Sequence, residues 1–129
     1  MSEVSDQEFE AILATAYDGI PAAVRGRLER LAVLVADEPS ESQLAEFAGE
    51  GTLFGLFEGV VRGEEHGAIG SLPPVITIFR KPLLAWCRTR EELEQEVRDT
   101  LWHEVAHYLG YDEEMVRHEE AASDRLRGR

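Results

Sequence analysis

The chain has little that would cross-link it, carry it through a membrane or draw it to a polyanion. Cys87 is the single cysteine among 129 residues, which excludes an internal disulfide framework and suits a reducing compartment. It reads as a small buried apolar residue. Basic side chains are scarce: 13 Lys and Arg stand against 26 Asp and Glu, a formal charge of −13 at pH 7. A field of that sign repels phosphate backbones and anionic lipid, so neither nucleic acid nor a membrane is expected as a partner, and the acidity reads as a device for solubility. No apolar run is long enough to span a bilayer, and Met1-Ser2-Glu3-Val4-Ser5-Asp6 has neither the basic region nor the apolar run of a signal peptide. The expected location is the cytoplasm. Internal repeats and low-complexity tracts are absent as well.

What remains is the profile of one folded domain. Hydrophobic residues make up 43% and charged residues 30%, and a chain of this length supports a single core. One domain is therefore expected over 1–129. Ser5 and Glu8 have the spacing of a capping box, after which Phe9, Ile12, Leu13 and Ala16 fall on one helical face until Gly19. Pro21 opens a second short helix to about Glu29. Leu31 to Ala36 is a short apolar run closed by Asp37-Glu38-Pro39, expected as a buried strand. Ser40 with Gln43 caps a helix or loop reaching Gly49. Thr52 to Glu58, interrupted by Gly55, and Val75 to Phe79 read as further strands, with a Gly- and Pro-rich connection from Gly59 to Pro74 between them. Lys81 to Cys87 is a short helix with Pro82 in its first turn, and Trp86 and Trp102 are expected in the core.

The most legible element begins at Thr89. Thr89 and Glu92 form a capping box, acidic residues fill the first turn, Leu93, Val97, Leu101, Val105 and Leu109 recur every four residues, and Gly110 stands where a helix-ending glycine belongs. This helix carries His103-Glu104-Val105-Ala106-His107. At about 100° per residue the two imidazoles project from one face, one turn apart, and reach one ion at about 2.0–2.1 Å. Glu104, on the edge of that face, is placed to take a proton from a water at the metal without being a ligand itself. Opposed to this reading is a plain pair of surface histidines on an amphipathic helix.

A third ligand is required. Gly110 lets the chain turn back toward the metal, and Glu113, three residues beyond it, is preferred over Asp112, which also suits the N-cap of a final helix through Met115 and Val116. His66 and His118 read as surface residues, as do Glu114, Glu119 and Glu120. Arg80-Lys81 is expected to be solvated.

The segment from His103 to Glu113, with Val35-Ala36-Asp37-Glu38-Pro39, Leu53 to Gly59 and Val75 to Leu83 in the same order, resembles the minimal zincin-like metallopeptidases. The likeness covers about residues 5–120. It implies an α+β fold in which a short mixed sheet packs on the active-site helix, with a strand as the upper edge of a cleft. It also implies zinc, one per chain, held by His103 and His107 with Glu104 as general base. The family's third-ligand position, usually aspartate, is held here by Glu113. The implied activity is hydrolysis of a peptide or protein substrate. The competing reading is a zincin-fold binding or regulatory domain with little or no proteolysis, and a third is a helical domain without metal.

Overall fold

A computed structural model of the chain describes residues 3–47, 54–59 and 73–110. The first helix, α1 (Asp6–Asp18), starts where the Ser5 hydroxyl accepts the Glu8 N–H at 3.1 Å, and it buries Phe9, Ile12, Leu13 and Ala16. Helix α2 is a single turn, Ala22–Arg25, ending sooner than expected at Gly26. Strand β1 (Ala32–Ala36) follows, then helix α3 (Glu41–Phe47). The start of α3 is a reciprocal cap: the Ser40 hydroxyl accepts from Gln43 N at 3.1 Å, and the Gln43 side chain accepts from Ser40 N at 2.9 Å.

Strands β2 (Gly55–Glu58) and β3 (Val75–Phe79) complete a three-stranded sheet of order β1-β3-β2. β1 pairs parallel with β3 and β2 antiparallel, so the sheet is mixed. The expected start of β2 at Thr52 and Leu53 lies outside the described residues. β3 runs directly into helix α4 (Arg80–Trp86), and the long helix α5 (Arg90–Tyr108) ends the described chain.

In register, Val33, Ile76 and Phe57 share one face of the sheet with Val35, Ile78 and Gly55. This face meets α5, which packs on α1 through Phe9, Ile12, Leu93, Val97 and Leu101 in one hydrophobic cluster. Each such fully buried side chain contributes about 1.5–3 kcal/mol. The central position of β3 explains its unbroken apolar sequence, because Ile76, Thr77, Ile78 and Phe79 are all buried.

Three expectations fail here for identifiable reasons. β1 is only half-buried, with Leu34 54% exposed, because among the described residues it pairs with β3 alone and its other face points away from the helices. Trp86 is 67% exposed and leans on Phe54 with ring centroids 6.2 Å apart, being at the last position of a short helix and outside the core. Arg80 is not simply solvated: its side chain is 19% exposed and its Nε lies 3.0 Å from Asp37 and 3.3 Å from Asp6, tying β1 and α1 to the start of α4. Trp102 does pack against the core, partly buried. Cys87 is buried as expected, and burial, with Glu96 and Glu92 nearby, pushes its thiol up to about 11.

Candidate metal centre

Helix α5 is set by its two ends. The Thr89 hydroxyl accepts the Glu92 N–H at 3.1 Å, while the Glu92 carboxylate reaches back to Arg88 N at 3.2 Å. At the other end Gly110 takes φ +85°, the left-handed turn that glycine adopts without Cβ strain, and its N–H donates to His107 O at 3.0 Å. Between them Leu93, Val97, Leu101 and Val105 are buried, which fixes the rotation of the helix and with it the direction of the motif residues.

His103 and His107 emerge one turn apart, partly exposed, with ring centroids 4.5 Å apart and the rings edge-on. Glu104 is 2% exposed, on the side of the helix turned toward the sheet. One nitrogen from each histidine and one Glu104 oxygen lie within 4.8 Å of one another. Ligands of a tetrahedral ion with bonds of about 2.1 Å stand about 3.4 Å apart, so small side-chain rotations bring two partly exposed imidazoles onto a common ion. Nitrogen donors with a nearby carboxylate also suit zinc chemically. The residues present fit a metal.

Glu104 is held from the sheet. Phe79 N donates to Phe54 O at 2.8 Å, and in an antiparallel pair this makes Phe54, Leu56 and Glu58 the residues that bond to β3, leaving the backbone groups of Gly55 and Phe57 directed outward. The outward Phe57 N–H donates to Glu104 Oε1 at 2.9 Å. The same oxygen lies 3.7 Å from His107 Nδ1. The Phe57 ring packs on buried Tyr108, centroids 5.6 Å apart.

Gly55 makes this approach possible, since a Cβ there would sit 2.7 Å from Thr100 Cγ2 on α5. Sequence reasoning missed both Gly55 and Phe57 as parts of the site. The available signal was the glycine inside a strand, which marks close approach of another element but reads in the sequence alone as a weakness of the strand. Gln43 adds a brace, its amide donating to Glu58 Oε1 at 2.8 Å.

Of the residues expected at the site, His103, Glu104 and His107 converge. Glu113 and Asp112, the two choices for third ligand, lie outside the described residues, as do His66, His118, Glu114, Glu119, Glu120 and the final helix through Met115 and Val116.

The zincin-like metallopeptidase family model matches residues 28–122, a span that holds all three strands and the whole of α5. The chain belongs to this family. No curated protein matches it. Among solved structures it is similar to a conserved hypothetical protein from Thermo thermophilus, at 17% identity and a TM-score of 0.53, over 94% of this chain and 99% of that one. That likeness is one of fold. A zincin-like domain is accordingly a small α+β unit with a mixed three-stranded sheet, and this one places a His-Glu-His group able to hold a metal beneath a sheet edge. None of its described helices is long and apolar enough to cross a membrane.

Proposed function

We propose that this zincin-like domain is a zinc-dependent peptidase, with His103, His107 and Glu113 as ligands of one zinc per chain and Glu104 as general base. The observation that carries the reading is the burial of the Glu104 carboxylate beside both imidazoles, fixed by the Phe57 N–H of an edge strand. A zinc ion held there supplies Lewis acidity, lowering the pKa of a coordinated water to about 7 and polarising a peptide carbonyl.

The chain's own residues do the rest. Glu104 takes the proton of the attacking water on its carboxylate and returns it to the departing amine nitrogen, a role that needs a carboxylate close to the ion and held in one orientation. The Phe57 N–H supplies that orientation, and the packed Gly55–Thr100 contact sets its height above the helix. The outward backbone groups of Gly55 suit the main chain of an extended peptide or protein segment, which would lie along β2 by strand addition across the histidines.

A broad peptide-library assay of the wild type and Glu104→Gln tests this. Turnover should fall about 100-fold to 10,000-fold while metal content is unchanged. Equal cleavage by both proteins would remove Glu104 from the chemistry. Absence of cleavage by the metal-loaded wild type would favour a zincin-fold binding or regulatory domain.

A further inference from the structure

Among the described residues the second edge of the sheet is also open, and it borders a groove away from the histidines. Ala32 N donates to Pro74 O at 3.1 Å. In the parallel ladder this assigns Ala32, Leu34 and Ala36 to bonding with β3 and directs the N–H and C=O of Val33 and Val35 away from the sheet. Among the described residues no backbone group pairs with them. Beside this edge, α1 and β1 enclose a groove of about 660 Å³. Its walls include Leu13 and Tyr17 from α1 and Val33 and Val35 from β1, and among the described residues its charged lining is two carboxylates, Glu10 and Asp18. Both are exposed. Eight residues apart on one helix, they stand about 12 Å apart along its axis, the span of about four residues of extended chain.

We propose that this edge is a docking site for an extended segment of a partner protein, apolar at the side chains entering the groove and carrying lysine or arginine at either end. The outward groups of Val33 and Val35 satisfy the main chain of an added strand, the apolar walls receive alternate side chains, and Glu10 and Asp18 receive the cations. Charge also selects against a second copy of this chain: pairing two β1 edges would bring together two grooves lined by carboxylates, on molecules each carrying a formal charge of −13. The site rests on β1 and α1 and does not depend on the peptidase reading.

The test uses the full chain and a capped nonapeptide alternating valine with threonine but carrying lysine in place of valine at its third and seventh positions, about 13 Å apart in extended chain, with a twin carrying glutamate there, followed by amide chemical shifts. The expected result is shifts at Val33, Val35 and residues 10–18 with the lysine peptide, at least about tenfold weaker binding of the glutamate twin, and a loss of the same size in the Glu10→Lys/Asp18→Lys protein. Val35→Pro removes one outward N–H without touching the ladder to β3 and should weaken binding similarly. The surface double variant keeps the test decisive where the proline variant fails to fold. The proposal is overturned by no shift at this edge, by equal binding of the two peptides, by shifts confined to β2 and the histidines, or by concentration-dependent self-association that Val35→Pro abolishes.

Discussion

The two edges of the sheet have been treated in opposite ways by the sequence. At β2 a glycine brings the strand down onto α5, with Thr100 filling the space a Cβ would need, and the outward Phe57 N–H is taken by the carboxylate of Glu104. At β1 the outward positions are valines, the neighbouring helix stands off by the width of a groove, and Leu34 is exposed. Among the described residues, backbone groups directed away from the sheet are common to both edges. Among the described residues only β2 is backed by side chains able to hold a metal, so the proposed chemistry belongs to that edge and the proposed docking to β1.

Among variants that leave the candidate metal ligands in place, the largest effect on stability belongs to the close contact. Gly55→Val should destabilise the fold by about 1–3 kcal/mol, the usual cost of overpacking, because the new Cβ meets Thr100 Cγ2 at 2.7 Å and the Thr77 carbonyl at 3.3 Å. Adding Thr100→Ala should recover part of that loss, and chemical denaturation of the two single variants and the double variant measures the coupling. At the other edge, Leu34→Ser should change stability by less than about 0.5 kcal/mol. Equal losses at Gly55 and Leu34 would erase the distinction between the edges.

Much of this was legible beforehand. The α5 helix announced itself through its capping box, four-residue stripe and terminal glycine, and the motif positions followed from helical geometry alone. β3 was legible to the residue, because a central strand buried on both faces leaves a continuous apolar run bounded by Pro74 and a following helix. β1 misled for the same reason: an apolar run carries no mark of how many neighbours its strand has, and the exposure of Leu34 is decided by sheet order. Trp86 misled because hydrophobicity does not report its place at the end of a short helix. The Phe57 contact was not legible at all, since a backbone N–H has no sequence signature. The acidity read as solubility has a local use under the proposal for β1.

The smallest expected effect lies on α5 itself. Burial, with Asp99 and Glu92 nearby, holds the Glu96 carboxyl above its ordinary value of 4.5. Its ionised form is therefore disfavoured by folding at neutral pH, and the penalty disappears as pH falls below the ordinary value, where the group is protonated in both states. Glu96→Gln should stabilise the protein at pH 7 by less than about 0.5 kcal/mol, a partly exposed group being well screened, and the gain in Tm should fade below about pH 4.

The claim on which the peptidase reading depends is that α5 holds a metal. Metal content should be measured on wild-type protein and His103→Ala, both purified without added zinc and without a histidine tag. About one zinc per chain in the wild type, lost in His103→Ala, is the result expected of a ligand removed from a tetrahedral site. Wild-type protein that takes up no metal even on titration, or a His103→Ala protein that binds it equally well, would contradict the account.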